Sequence, residues 1–569
     1  MSFAARPLAR LTLAFALAMP LAAAAQSELA AAEKPAENLP DLTLTPQILY
    51  QILLAEIADG RGDFHLAAGA YADLAQSTRD PRIARRAAEI AIYAREPETA
   101  LEMAKLWAKI DPDSPQARQM LVGLLLVARR FDEATPHLAK LLALEGDRVG
   151  DALLRLNYLL SRYPDKAAAA LLVDRLTKPY ENLAEAHFAR AQAEENAGND
   201  ARALTEIGRA KKLRPDWQPA VLFEAQILQK SDHAKALDVL RRYLDAYPKA
   251  RQVRLAYARA LVGEKQFAEA RREYSVLLDA NKDDPEAVYA VALLSLQLND
   301  LAAAESGFKR LLDLDIGDVN VARYYLGQIA EQGKRPEEAL SWYEKVTPGE
   351  QYLAANVRAA ALLAKQGKLE AGQKILQQAA VADPSERVPL LITEAQLLSD
   401  AGRTADAFRL LDDALAAQPE QPELLYETAM LADKLGRFDV LERNLRLLIK
   451  LQPDHAQAYN ALGYSLAERN LDLDEAQRLI DKALALSPDD AFILDSKGWV
   501  LYRRGDNNGA LGYLQKAYSQ RPDPEIAAHL GEVLWMLGRH EEAEKTWNAA
   551  IRAHPGNAAL AATIKKFKP

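Results

Sequence analysis

Five residues recur along this chain at fixed intervals, and few folds can accommodate such a rhythm. Gly498, Ala510, Leu514, Ala517 and Pro522 are separated by 12, 4, 3 and 5 residues, and Gly531, Ala543, Trp547, Ala550 and Pro555 repeat the same intervals. Gly463, Ala476, Ile480, Ala483 and Pro488 differ only by one residue inserted in the first interval. Steps of 4 and 3 return to one face of an α-helix, so the second, third and fourth marks predict a helix with a packing stripe. The closing proline ends that helix. A small first mark, about a dozen residues earlier, predicts a preceding helix that comes close to its neighbour. Each unit therefore reads as helix, turn, helix, turn.

Weaker copies extend the pattern backwards. Ala100 with Pro112, Ala203 with Pro215, Ala236 with Pro248 and Ala407 with Pro419 keep the 12-residue interval between second mark and closing proline. Gly372 with Pro384 keeps the spacing, and Leu441 replaces alanine before Pro453. These residues match the 34-residue tetratricopeptide (TPR) repeat. The predicted fold is all-α, a right-handed superhelical TPR solenoid of about 15 helix-turn-helix repeats whose core runs continuously between neighbouring pairs. The repeats cover roughly residues 46–555. An N-terminal group spans 46–181, and its last member (149–181), which carries Pro164 and Pro179, is the poorest match. The main array spans 182–555, and 556–569 reads as a C-terminal cap or tail.

The first 45 residues follow other rules. Arg6 and Arg10 precede an apolar run from Leu11 to Leu21, and Ala22 to Ala25 supply small residues before Gln26. This is the pattern of a cleaved secretory signal over residues 1–25. The alternative, a membrane anchor, needs roughly 20 apolar residues, and Pro20 interrupts a shorter run. Residues 26–45, with Pro35 and Pro40, read as a flexible linker. Export to the periplasm is the expected consequence. There is no cysteine in the chain, which excludes thiol catalysis, Cys-ligated zinc, disulfides and a lipid anchor on Cys. The formal net charge is −9. Nucleic acid is therefore not an expected partner, because an acidic chain lacks the excess of Lys and Arg that neutralises phosphates. The local run Lys565, Lys566 and Lys568 reads as a solvated tail favourable to a helix C-terminus.

No enzyme signature stands out. The sequence lacks G-x-S-x-G, G-x-x-x-x-G-K-[ST], G-x-G-x-x-G and H-E-x-x-H, the spacings that position a nucleophile, a phosphate or a zinc ion. The eight histidines are scattered, and His529 and His540 stand 11 residues apart on different predicted helices, so they read as surface or packing residues. Acidic pairs such as Asp283–Asp284 and Glu541–Glu542 fall at helix starts, where negative charge favours the helix dipole. Arg61-Gly62-Asp63 lies at a predicted turn. Neither a cofactor nor a metal is expected, and the chain is expected not to be an enzyme.

What remains is surface. First-helix positions that carry no core mark predict an inward stripe at three- and four-residue steps: Asn460 and Tyr464, then Asp495, Trp499 and Tyr502, then Glu532 and Trp535. Aromatic rings interspersed with polar groups suit a protein-binding groove, because Trp and Tyr supply much of the energy of such contacts. The competing reading is that these rings pack within the array.

The stretches Asn460-Ala-Leu-Gly-Tyr464, Asp495-Ser-Lys-Gly-Trp499-Val-Leu-Tyr502-Arg503 and Pro524-Glu-Ile-Ala-Ala-His-Leu-Gly-Glu-Val-Leu-Trp535 resemble the C-terminal signature of large TPR proteins of the proteobacterial envelope. Leu53-Leu-Ala-Glu56, Thr78-Arg-Asp-Pro81 and Ala87 to Ala91 are similar to their opening repeats. That family includes the outer-membrane lipoprotein adaptors of a carboxyl-terminal processing protease. The resemblance implies a periplasmic scaffold or adaptor whose partners are proteins, among them a serine protease and cell-wall hydrolases. The lipoprotein members carry an anchoring Cys, whereas this chain has Ala25-Gln26-Ser27, so association with the outer membrane would run through partners. The alternative is an assembly scaffold for polysaccharide export or pilus biogenesis.

Overall fold

The computed structural model describes residues 39–568, apart from 41, 162, 315–318 and 383. The expected signal peptide (1–25) and most of the expected linker lie outside the described residues. Among the described residues there are 31 α-helices, three short 3₁₀ segments and no strand. Thirty of the helices, from Pro46–Gly60 to His540–Ala553, alternate as fifteen pairs, and Ala558–Phe567 follows alone. The predicted all-α repeat fold is what the chain adopts.

Local chemistry sets the ends of each helix. Proline occupies the first helical turn at Pro46, Pro81, Pro97, Pro115, Pro422 and Pro524, where its missing N–H costs nothing. Asp490, Asp506 and Asp523 cap their helices by accepting backbone N–H bonds, which satisfies donors the helix cannot. Within most pairs the turn passes through a left-handed residue. Gly198, Gly436, Gly505 and Gly538 have φ between 71° and 90°, and Arg129, Lys265 and Asn470 take φ of 56–60° at the same place in their repeats.

The small first mark has a specific occupant. A Cβ on Gly531 would fall 2.0 Å from Trp547 Nε1, one on Gly498 would lie 2.5 Å from Leu514 Cγ, and one on Gly463 2.7 Å from Ile480 Cγ1. The third mark of each repeat therefore lies over the first. Trp547, Leu514 and Ile480 are buried, as are Ala510, Ala517, Ala543 and Ala550. Another copy, Gly327, Ala339, Tyr343 and Val346, shows the same nesting, with a Gly327 Cβ 2.4 Å from the Tyr343 ring. Its second helix, Pro336–Tyr343, is only eight residues long.

The chain divides between Ala290 and Val291 into two compact units. In the first, one continuous core runs from Ala55 to Ala193. Around 149–181 the pairing is irregular: the Val149–Leu160 and Lys166–Thr177 helices each pack more against Ala184–Asn196 than against each other. In the second unit, one core runs from Leu369 to Val500 and another from Ala510 to Leu560, the latter closed by the Ala558–Phe567 helix. No helix of the described residues is long and apolar enough to cross a membrane.

Two glycine substitutions test the nesting. Gly531→Ala should destabilise by about 1–3 kcal/mol, because Trp547 must yield to a new methyl group. Gly512→Ala, at an exposed helical position with nothing within 4 Å of the added Cβ, should stabilise by about 0.5–1 kcal/mol. Urea denaturation followed by circular dichroism reads both, and the two shifts should be opposite in sign.

Candidate functional site

In the second unit the first helices of the last three pairs, Ala456–Glu468, Ala491–Arg503 and Pro524–Met536, touch one another in succession and form an inner layer. Residues three before, one after and four after each marked glycine fall on one helical face. That face carries the seven residues singled out in the sequence. The structure places Asp495, Trp499 and Glu532 as buried and Asn460, Tyr464, Tyr502 and Trp535 as half-buried.

At its centre sits His529, for which sequence spacing alone predicts a surface or packing place. It is only 8% exposed. Its Nδ1 lies 3.0 and 3.1 Å from the Asp495 carboxylate oxygens, and its ring stacks on Trp499 at 4.0 Å between centroids. Burial pushes the imidazole pKa down, but the Asp495 carboxylate, helped by Glu525 and Glu468, overcomes this and holds it above its ordinary value. Protonated His529 then donates to Asp495, a charge-assisted bond inside the helix layer.

Further bonds tie the layer together across repeats. Trp499 Nε1 donates to Glu468 at 2.7 Å. The Tyr464 hydroxyl donates to Glu525, 61 residues away, at 2.9 Å, so the link passes over the repeat between them. The Tyr502 hydroxyl donates to Glu532 at 2.9 Å, and Lys566 of the last helix donates to the same carboxylate oxygen at 2.9 Å. Burial, together with these carboxylates, raises the pKa of both tyrosines, so both stay protonated donors at neutral pH. Trp535 packs edge-on to His540 at 4.2 Å and near Trp547 and Phe567. Lys497, also buried, reaches outward to Asp481 at 2.5 Å.

The structure thus joins six of the seven predicted residues, all but Asn460, into contacts with one another or with His529, Glu468, Glu525, His540 and Lys566. The Asn460 side-chain oxygen is buried without a hydrogen-bond partner. Glu468 and Glu525 are exposed at the edge of the layer, which leaves an acidic, aromatic rim. No group of three or more His, Asp or Glu residues placed to hold a metal occurs among the described residues.

Two measurements probe this cluster. Trp499→Ala removes the ring beneath His529 and should cost about 3–5 kcal/mol of stability, read as a lower melting temperature. Asp495→Asn tests the imidazole. A native pKa raised above the unfolded value of about 6.5 stabilises the fold below that value, and the contribution fades as pH rises through the native pKa. The stability difference between wild type and Asp495→Asn should therefore be largest below about pH 6.5 and shrink at higher pH. Chemical denaturation across that pH range measures it.

Known proteins share this organisation. Two tetratricopeptide-repeat models match the chain, one over residues 289–352, 392–440 and 496–558 and the other over 228–294. A TPR repeat-containing protein of Pseudomonas aeruginosa is 34% identical over 485 residues, covering 85% of this chain and 82% of that one. A cellulose synthase operon protein C of Pseudomonas fluorescens is 24% identical over 504 residues, but the match spans only 36% of that longer protein. A thermophilic TPR protein of Thermus thermophilus aligns with 32% of this chain at 25% identity and a TM-score of 0.29. With the nested glycines, the paired helices and a relative matched over most of both lengths, the chain belongs to the tetratricopeptide-repeat family.

Proposed function

We propose that the protein is a non-catalytic scaffold of the periplasm that holds other proteins, acting as an adaptor that brings cell-wall hydrolases to a processing protease. TPR repeats support protein binding in general. The observation that carries the reading here is the acidic, aromatic rim of the last three repeats, where Trp535 and Tyr464 are partly exposed beside Glu468 and Glu525. Large rings held in place by buried partners lose little conformational freedom on binding. The nearby carboxylates favour partners with basic surfaces. Holding protease and substrate on one array raises the effective concentration of each for the other. His529 is held between Trp499 and Asp495, which suits a packing role in the layer. Delivery to the periplasm would follow from the signal-like residues 1–25.

A second reading, an assembly scaffold for polysaccharide export, is favoured by one observation, the similarity to proteins named for cellulose synthase operons. Crosslinking in native envelopes followed by affinity purification and mass spectrometry separates the two. The adaptor reading expects a serine protease and a cell-wall hydrolase among the crosslinked proteins, and a reduced yield of both with Trp535→Ala at unchanged helical content. Recovery of glycan-synthesis components alone would replace it with the second reading.

A further inference from the structure

A different surface, in the first unit, shows a buried basic side chain without the carboxylate that two other repeats supply at the equivalent place. Arg118 and Arg254 stand 136 residues apart, which is four repeats of 34, and occupy the same place in their repeats. Each guanidinium donates through Nη2 to the carbonyl of the preceding closing proline, Pro112 in one case and Pro248 in the other. Arg254 is then completed by Glu273, to which its Nη1 donates. The residue 136 positions before Glu273 is His137. A third repeat repeats the pairing: His187 bonds Glu206 at 2.7 Å from the equivalent positions.

At Arg118 the carboxylate is therefore missing. Its side chain is only 8% exposed, and no ion pair to it occurs among the described residues. Burying a charge without an opposite charge is costly, and proteins ordinarily supply the partner. Beside it lies a cavity of about 150 Å³, lined among others by Arg118, His137, Lys140, Ser114 and Asp111. Asp111 contributes one negative charge, and Arg118 and Lys140 two positive ones. Glu133, the nearest acid on the second helix, is engaged by Lys105 and Arg130. Burial, then Arg118 and Lys140, push the His137 pKa down against the smaller opposing pull of Glu133, as fits a pocket with an excess of positive charge.

We propose that this cavity binds a carboxylate supplied from outside the chain, seated on the Arg118 guanidinium where Glu273 sits on Arg254. The guanidinium fork suits a carboxylate in particular, and His137 and Lys140 add donors at its edge. The site lies in the first unit and does not depend on the scaffold reading of the second.

The test follows the His137 imidazole by proton NMR in the full-length protein while acetate, N-acetyl-triglycine with a free C-terminus, or the same peptide as its amide is added. Binding of an anion beside the ring should raise the His137 pKa. A rise with the free-acid peptide but not with acetate or the amide supports the proposal with a peptide carboxylate as ligand, and a rise with acetate as well supports it with a small acid. The absence of a rise with every probe overturns it. Arg118→Gln, which keeps a donor for Pro112, should weaken binding roughly tenfold or more, the loss expected for one charge-assisted contact. His137→Glu, in which binding is read by isothermal titration calorimetry because the reporting ring is gone, should recreate the Arg254–Glu273 pair, abolishing binding and raising the melting temperature. Undiminished binding in Arg118→Gln, or retained binding in His137→Glu, contradicts the proposal.

Discussion

The structure depends on a side chain that is absent. At the first mark of the clearest repeats, glycine leaves a space that the large third mark of the partner helix fills, as Trp547 does over Gly531, Leu514 over Gly498, Ile480 over Gly463 and Tyr343 over Gly327. An alanine Cβ at these places would lie 2.0–2.7 Å from the opposing side chain, well inside van der Waals contact. The missing atom therefore sets how closely the two helices of a pair run, and the alanines at the second and fourth marks continue the contact on the other helix. Close pairs with a common geometry stack on the next pair through one repeated face.

Everything on the inner layer inherits its position from that register. Because the glycine must face its partner helix, the residues three before and one and four after it fall on an adjacent stripe, roughly 40–100° round the helix from it. In the last three repeats this stripe bonds largely to itself. Asp495, Trp499 and His529 form a buried stack, and Tyr464 reaches Glu525 two repeats on. The same register also fixes the pairs between the two helices of a repeat, His187 with Glu206 and Arg254 with Glu273, and makes the lone Arg118 stand out.

Much of this was legible in the sequence, because an interval of 12, 4 and 3 translates directly into helices and faces. The copy at Gly327 is harder to recognise because its shortened second helix removes the closing proline from its usual place, although Gly327, Ala339, Tyr343 and Val346 keep the other intervals. The left-handed turn residue seven positions after the first mark, Gly505 or Gly538 and Asn470 in place of glycine, was a further signal available to reading. The seven stripe residues were legible as one face, but their state was not. A period reveals which side of a helix a residue occupies and not what lies opposite, and the partners of Trp499, Tyr464 and Glu532 are 31, 61 and 34 residues away. His529 was the clearest case. Its neighbours in the pattern, Ala461 and Ser496, are small, and only the folded layer shows that a larger imidazole fits there by stacking on Trp499.

A double-mutant cycle between Gly498 and Leu514 addresses the nesting most directly, through the unfolding free energies of wild type, Gly498→Ala, Leu514→Ala and the double variant. The account predicts that Gly498→Ala destabilises the wild-type chain but costs clearly less once Leu514 is alanine, since the Cγ and Cδ2 that the new methyl would meet are then gone and only the Ala510 carbonyl oxygen, 3.1 Å away, stays close. An equal cost in both backgrounds would contradict it, showing that the glycine is there for some reason other than the side chain above it.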